Sequence, residues 1–350
     1  MASKDGEGHS RAAVTGTVLF YLVAALAMVM ANKWVLSSTD VPLFFLFTQL
    51  VIAVILFLVS HAAGLVKVPL DFSLPRLKHL APLIALNVIG LSFSNFTLKY
   101  VDASFYQVAR GLVLPFTCLT SYVMLSSRPS LRILLACGFV TLGFFVGVFL
   151  DGTPVSPLGI FFGVVSSAVT ATHSVIIKRT LDVVKGSTLD LSWYGNTLSA
   201  VALLPIVVLA GEIPGVMKLF FGPAEETAVG AVSPLATFLW GSAITGVFGF
   251  LMSIASLLSI KVTSPITHMV SSAVRGVFAT LLGVWLFSDI VTTGRAASIA
   301  TILGGSIYYT WIKHLESQSQ LQSSPGKAYE RVPLEDVESG KASPPHVKPE

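Results

Sequence analysis

Long apolar stretches alternate with short polar segments along most of this chain. A helix needs about 20 mostly apolar residues to cross a bilayer, and charges, prolines and glycines divide the chain into stretches of about that length. The pattern predicts an all-α membrane protein with ten transmembrane helices. These are expected over Ala13–Asn32, Val41–Val66, Ala81–Leu98, Ala103–Leu125, Leu131–Leu150, Pro157–Ile177, Leu191–Ala210, Pro234–Ile260, Ser264–Phe287 and Ala296–Ile312.

The composition supports this interpretation. Apolar residues make up 53% of the chain and charged residues only 11%, whereas a soluble domain carries about 25% charged residues. The difference excludes a soluble enzyme, a nucleic-acid-binding module and a disordered protein. We expect a lipid bilayer around the chain and no nucleic acid as partner, because excess Lys and Arg in a membrane protein usually sets its topology.

The charges also predict the topology. Most of the 22 Lys and Arg fall on the side of the predicted helices that carries both chain ends, so both termini are expected in the cytosol. Only four of those outside the helices fall on the opposite side, namely Lys33, Lys99, Lys218 and Arg295.

Four segments are expected along the chain. Residues 1–12 form a polar N-terminal tail, and residues 13–150 and 151–313 hold five predicted helices each. Residues 314–350 are rich in Ser, Pro, Lys and Glu, a composition typical of a disordered tail.

Two arginines fall inside predicted helices. Arg110 lies roughly 10 Å into the fourth helix and Arg275 roughly 16 Å into the ninth. A charge at such depth costs at least about 2.5 kcal/mol and is normally paired or lines a wet cavity. All 18 Asp and Glu fall in predicted loops, tails or helix ends. A bound anion is therefore the expected partner of both arginines. The alternatives are that each arginine snorkels to the membrane interface or bonds exposed backbone carbonyls.

The two arginines occupy equivalent positions. The fourth predicted helix reads Val108-Ala109-Arg110-Gly111 and the ninth reads Ala273-Val274-Arg275-Gly276. Each is the fourth helix of a five-helix half, and an odd number of helices turns the second half upside down in the membrane. Inverted repeats of this kind are typical of transporters, with the substrate site at the midplane between the halves.

Further polar residues share a helix face with each arginine. Tyr106 lies one turn before Arg110, whereas His268 and Ser272 precede Arg275 at helical spacing. These residues are candidates for substrate contact, and an interhelical hydrogen bond is the alternative for His268. His173 carries no functional prediction beyond such a bond.

Lys33 and Lys99 lie at the non-cytosolic ends of their predicted helices. Both are candidates for attracting an anionic substrate toward the cavity. Anchoring at the membrane interface explains them equally well.

Catalytic and metal-binding motifs do not occur in the sequence. It contains no phosphate-cradling loop, nucleophile elbow or His/Cys cluster, and the two cysteines, Cys118 and Cys137, lie in apolar stretches without metal-ligand spacing. We therefore expect neither enzymatic activity nor a cofactor.

Several short motifs together resemble one transporter family. They are Asn32-Lys33, Leu98–Val101 (LKYV), Ser104–Arg110 (SFYQVAR), Thr263–His268 (TSPITH), Gly304-Gly305 and Tyr309–Trp311 (YTW). Through these motifs the chain resembles the GDP-fucose transporters over residues 18–316. That family lies within the nucleotide-sugar and triose-phosphate branch of the drug/metabolite transporter superfamily.

The resemblance implies two substrate motifs. The family's Phe-Tyr-Asn-Asn motif, implied to contact the nucleotide, corresponds to Trp193, Tyr194, Gly195 and Asn196 here. Gly195 removes one amide that could read the base or ribose. The family's motif of small residues ending in Lys ends in Arg275 here, and a guanidinium can hold phosphate with two parallel hydrogen bonds.

The function implied is exchange of GDP-fucose for GMP across the Golgi membrane. Alternatives are another nucleotide sugar (GDP-mannose or a UDP-sugar), a triose-phosphate-type sugar phosphate, and residence in the endoplasmic reticulum. A homodimer is possible. From other classes, a membrane scaffold would not require two buried arginines, and an embedded enzyme would need an acid–base pair that the predicted helices do not contain.

Overall fold

The structure is a computed structural model that describes residues 11–126, 128–152, 154–184, 187–223, 232–262 and 265–322. Every regular element in these ranges is a helix. A short 3₁₀ helix (Leu181–Val184) follows α7, and the α-helices are α1 (Arg11–Ser38), α2 (Pro42–Ala62), α3 (Leu74–Tyr100), α4 (Ala103–Gly111), α5 (Val113–Leu125), α6 (Leu131–Phe149), α7 (Pro157–Thr180), α8 (Thr188–Leu209), α9 (Ile213–Phe221), α10 (Pro234–Val262), α11 (Pro265–Phe287) and α12 (Thr293–Gln322).

A helix lies at each of the ten predicted positions. Seven stretches of the described chain are long and apolar enough to cross a membrane, and two further apolar helical stretches, Leu22–Ser38 and Arg275–Phe287, are shorter. These findings confirm a helical membrane protein. The count of ten crossings stays a prediction.

The fourth predicted helix is broken into α4 and α5 at Leu112. Pro115 explains the break, because it has no N–H to donate and its ring clashes with the carbonyl four residues earlier, at Gly111. Arg110 consequently lies in the last turn of α4. A cation is favoured there by the partial negative charge of a helix C-terminus.

Two segments predicted to be irregular contain helix. α9 lies within the connection expected between residues 211 and 233, and α12 continues to Gln322, past the predicted start of the disordered tail at residue 314. No Gly or Pro falls between Gly305 and Pro325, and the intervening residues are mostly good helix formers. The prediction of disorder from residue 314 is therefore wrong for residues 314–322. Residues 1–10 and 323–350 of the predicted tails lie outside the described ranges.

The helix contacts repeat when the two halves of the chain are exchanged. The contact of α1 with α10 corresponds to that of α7 with α3, and the contact of α1 with α11 corresponds to that of α7 with α4 and α5. Likewise, the contact of α2 with α10 corresponds to that of α8 with α3. The contacts of α2 with α8, α4 with α11 and α6 with α12 join equivalent helices of the two halves. This symmetry agrees with two structural repeats; five helices per repeat and their inverted orientation stay a prediction.

Small residues allow equivalent helices to approach closely. A Cβ added to Gly143 of α6 would lie 2.7 Å from Ile302 of α12, and one added to Gly147 would lie 2.6 Å from the Ser298 hydroxyl. The Ser298 hydroxyl also donates to the Gly143 carbonyl at 2.6 Å. The contact between α6 and α12 therefore requires glycine on α6.

Charged residues hold one end of the bundle together. At this capped end, α1, α3 and α6 end and α2, α4 and α12 begin. Arg295, only 1% exposed, forms an ion pair with Asp151 and donates to the Ser104 hydroxyl at 2.7 Å. Its guanidinium also lies 5.3 Å from the centre of the Phe105 ring. The N-terminus of α12 is thereby tied to α4 and to the chain after α6.

Two carboxylates of the second half cap the N-termini of helices in the first half. The Glu212 carboxylate accepts hydrogen bonds from the backbone N–H groups of Leu43 (3.0 Å) and Phe44 (2.8 Å) at the start of α2. Asp289 accepts one from Ala103 (2.9 Å) at the start of α4. Burial raises the pKa of both carboxyls, and the backbone donors only partly oppose that shift in pKa.

Candidate functional site

A cavity in two chambers lies among the helices. The inner chamber, of about 140 Å³, is lined by α3, α4, α5 and α7 and reaches toward the capped end as far as Thr97. The outer chamber, of about 370 Å³, is lined by α1, α2, α3, α7, α8 and α10 and lies further from the capped end. The chambers adjoin, because Asn87, Leu91 and His173 line both.

Arg110 faces the inner chamber. Its guanidinium donates to the Tyr106 hydroxyl at 3.1 Å, and that hydroxyl shares a hydrogen bond of 2.8 Å with Ser94 on α3. The Tyr106 side chain is buried, whereas that of Arg110 is exposed to the chamber. The predicted shared face of these two residues is therefore present, and it presents a fixed cation to the cavity.

Arg275 approaches the same region from the second half. α11, which carries it, packs against α4, and the charge of Arg275 interacts with the Tyr106 hydroxyl, as that of Arg110 does. Of the two arginines, Arg110 lines the inner chamber, whereas Arg275 is not one of the described residues that line it. The side chains of His268 and Ser272 lie outside the described residues.

α7 forms the wall of the inner chamber opposite α3. The Ser166 hydroxyl donates to the Gly90 carbonyl at 3.2 Å, and the Ser167 hydroxyl donates to the Ala109 carbonyl at 2.8 Å. A Cβ on Gly163 would lie 2.8 Å from the Cβ of Ala109. These contacts hold α7 close to α3 and α4 and fix the shape of the chamber.

The outer chamber has a neutral, hydrogen-bonding lining. Its described lining residues carry no Asp, Glu, Lys or Arg. The Gln49 amide donates to Asn32 at 2.8 Å, the Asn87 amide donates to Ser199 at 2.8 Å, and the Asn196 amide donates to the Ser192 carbonyl at 2.9 Å. A few placed amides in a mostly apolar pocket suit an uncharged ligand group with polar edges.

Of the motif on α8, the structure places Gly195 and Asn196 at the outer chamber. A Cβ on Gly195 would meet no atom within 4 Å, so this glycine leaves the wall open. Trp193 and Tyr194 are instead 2% and 1% exposed and do not line either chamber.

Trp193 and Tyr194 hold the connection between α2 and α3. The Trp193 indole N–H donates to the Pro69 carbonyl at 2.8 Å. The Tyr194 hydroxyl donates to the Asp71 carbonyl at 2.6 Å and accepts from Arg76 at 2.8 Å. Both side chains therefore fix the position of α8 rather than its cavity surface.

Lys33 and Lys99 lie at the capped end and do not line the cavity. The Lys33 ammonium donates to the Leu98 carbonyl at 2.9 Å and to the Val101 carbonyl at 2.6 Å, because the last carbonyls of α3 have no partner within the helix. Lys99 pairs with the exposed Asp40 at 2.8 Å and thereby lowers the pKa of that carboxyl.

Sequence reasoning missed the contribution of α7 to the cavity. Gly163, Ser166, Ser167, Thr170 and His173 follow one another at helical spacing and line the inner chamber. This stripe of small and polar residues on an apolar helix is the signal that could have identified them.

The chain is similar to known transporters over most of its length. The sequence profile of the Triose-phosphate Transporter family matches residues 13–310. The "GDP-fucose transporter 1" of Monosiga brevicollis is 31% identical over 89% of this chain and 93% of its own length. The "GDP-fucose transporter, Golgi" of Drosophila melanogaster is 30% identical over 91% and 97%.

A mammalian relative and a solved structure are also similar to the chain, the first in sequence and the second in fold. The "GDP-fucose transporter 1" of Mus musculus is 30% identical over 90% of this chain and 87% of its own length. One crystal structure superposes with a TM-score of 0.52 at 16% identity, covering 88% of this chain and all of the other. At that identity the superposition supports the fold alone.

Proposed function

Because the chain belongs to the Triose-phosphate Transporter family, we propose that it is a nucleotide-sugar antiporter that imports GDP-fucose into the Golgi lumen in exchange for GMP. Relatives about 30% identical over nearly the whole chain carry the name GDP-fucose transporter, one of them with the word Golgi. These names support both the substrate and the compartment.

The observation that carries the proposal is the contrast between the two chambers. The inner chamber has Arg110 in its wall, and the charge of Arg275 is near enough to influence Tyr106. The described lining of the outer chamber is instead neutral and contains three amides. A nucleotide sugar has the same two-part character, with anionic phosphates beside an uncharged nucleoside. A triose phosphate has no group that would need the outer chamber.

Each site residue receives a role in this proposal. Arg110 and Arg275 bind the phosphates, with Tyr106 orienting Arg110, and Asn196 hydrogen-bonds the base. Tyr194 and Trp193 contribute by holding α8 in position. His268 and Ser272 are proposed to contact the substrate beside Arg275, whereas Lys33 and Lys99 stabilise the capped end.

The proposed architecture has ten transmembrane helices in two inverted repeats, residues 13–150 and 151–313, with both termini in the cytosol. The exchange symmetry of the helix contacts supports the repeats. The contacts of Lys33, Lys99 and Arg295 at one end of the bundle support the topology, because these cations are the ones assigned to the lumenal side. The capped end then faces the lumen, and the outer chamber lies toward the cytosol.

Uptake into liposomes tests the proposal. The purified chain is reconstituted, the liposomes are loaded with GMP, and labelled GDP-fucose, GDP-mannose, a UDP-sugar and a triose phosphate are offered separately. GDP-fucose is expected to enter fastest, and Arg110→Ala should abolish its entry. Preferential uptake of the triose phosphate would favour a sugar-phosphate exchanger, and no uptake of any of them would favour a scaffold.

A further inference from the structure

His173 lies on α7 where the two chambers meet. Its side chain is partly buried and forms no hydrogen bond with any other residue that the structure describes. An imidazole always has at least one N–H donor, and in its neutral form also a nitrogen acceptor. A polar ring that faces a cavity and makes no bond to the surrounding described residues is available to a ligand.

The level of His173 along the cavity determines which part of a ligand it can reach. Ser167 bonds the Ala109 carbonyl and is therefore level with the residue before Arg110. His173 follows Ser167 by six positions, so it lies roughly 9 Å further from the capped end along α7. Arg110 bonds back to Tyr106, one turn closer to the capped end. A phosphate held by Arg110 and Tyr106 would consequently leave His173 to the next part of the ligand.

The surroundings of His173 suit an uncharged group. Asn87 lines the same junction, and the described lining beyond it is neutral. In a nucleotide, the ribose is the uncharged group that directly follows the phosphates, and its hydroxyls both donate and accept hydrogen bonds. We propose that His173 binds a ribose hydroxyl of the nucleotide and thereby favours ribonucleotides over deoxyribonucleotides and simple phosphates.

This inference rests on the proposed function, since it requires a nucleotide with its phosphates at Arg110. The test measures binding of three competitors to the purified chain: GMP, 2′,3′-dideoxy-GMP and inorganic pyrophosphate. A single neutral hydrogen bond contributes about 0.5–1.5 kcal/mol, equivalent to a factor of about 2–13 in affinity. The unmodified chain should therefore prefer GMP over the dideoxy compound by a factor in this range.

His173→Leu should remove that preference and leave pyrophosphate binding within about twofold. His173→Gln retains a donor and an acceptor and should keep part of the preference, which maintains the test if the leucine variant is unstable. The matched control is His79→Leu, because His79 is an exposed histidine that lines neither chamber. It should behave as the unmodified chain does.

Two results would overturn the inference. One is an unchanged preference for GMP over the dideoxy compound in folded His173→Leu. If that variant does not fold, an unchanged preference in both folded His173→Gln and folded His173→Ala would overturn the inference as well. The other is an equal loss of GMP and pyrophosphate affinity, which would assign His173 to the phosphates. Failure of the unmodified chain to bind GMP while it binds pyrophosphate would contradict the proposed function itself.

Discussion

Arg295 and Arg110 are the same residue type in two regions of the molecule, and their described surroundings differ. Arg295 at the capped end is 1% exposed and forms an ion pair with a fully buried carboxylate of Asp151. Arg110 faces the inner chamber and is oriented by a tyrosine hydroxyl. A buried arginine matched by a carboxylate stabilises the fold, whereas one that presents its charge to a cavity can bind an anion.

The two regions also differ in how they join the halves of the chain. At the capped end, Glu212 and Asp289 of the second half cap α2 and α4 of the first. At the cavity, Arg110 of the first half bonds the Tyr106 hydroxyl, and the charge of Arg275 of the second half is near enough to influence it. We infer that the capped end holds the halves together in this conformation, while the cavity is the region where substrate changes the balance of charge.

The largest expected effect follows from breaking the capped end. Arg295→Ala leaves the Asp151 carboxylate buried without its ion pair, which should lower the free energy of unfolding by about 3–5 kcal/mol. Denaturant or thermal unfolding of the purified chain measures the loss. The matched control is Lys99→Ala, whose partner Asp40 is exposed, so the cost should be only about 0–1 kcal/mol. Equal stability of the two variants would contradict a structural role for Arg295.

The next largest effect concerns transport without loss of fold. Arg110→Ala removes a charge from the cavity wall and should lower GDP-fucose exchange by a factor of about 100 or more, in the range seen for lost charge-stabilising groups. The unfolding midpoint should change little. Arg110→Lys retains the charge and should retain measurable exchange. Normal exchange by Arg110→Ala would remove this arginine from the site.

A smaller effect separates the residues of the α8 motif. Asn196→Ala should weaken competition by GMP by a factor of about 2–13, the equivalent of one hydrogen bond, with no change for pyrophosphate. Tyr194→Phe should mainly lower stability, because its hydroxyl bonds Asp71 and Arg76. A greater loss of nucleotide affinity in Tyr194→Phe than in Asn196→Ala would reverse these assignments.

The smallest effect is on pH dependence at the capped end. Burial raises the pKa of Glu212 above its ordinary value of 4.5, so the folded chain binds this proton more tightly than the unfolded chain does. The contribution of Glu212 to stability is therefore greatest below pH 4.5 and declines as the pH rises through the raised pKa. As the pH rises through this range, the thermal unfolding midpoint of Glu212→Gln should fall less than that of the unmodified chain. An identical profile in both proteins would exclude this role.

Local pattern predicted much of the fold and part of the site. Hydropathy located the helices, and the spacing of four predicted the face shared by Tyr106 and Arg110. The break before Pro115 could have been expected from the missing N–H, but α9 lies in a connection where the sequence shows no long apolar stretch.

The roles that the sequence did not predict depend on tertiary contacts. Lys33 bonds carbonyls at the end of α3, and Trp193 bonds Pro69 in a distant connection, so neither partner is visible in the local pattern. His173 was assigned no ligand role because one histidine in an apolar helix usually bonds a neighbouring helix. Only the meeting of two chambers at its position gives it a candidate function.

Exchange across the membrane tests the central claim most directly. Under the proposed mechanism, a closed intermediate without substrate would desolvate the charges of Arg110 and Arg275 at a cost of several kcal/mol per ion, and a bound anion would offset that cost. GDP-fucose uptake is measured into liposomes loaded either with GMP or with buffer alone. The account predicts rapid uptake with GMP inside and little uptake with buffer. Equal uptake in both would contradict antiport and show that the empty transporter reorients as readily as the loaded one.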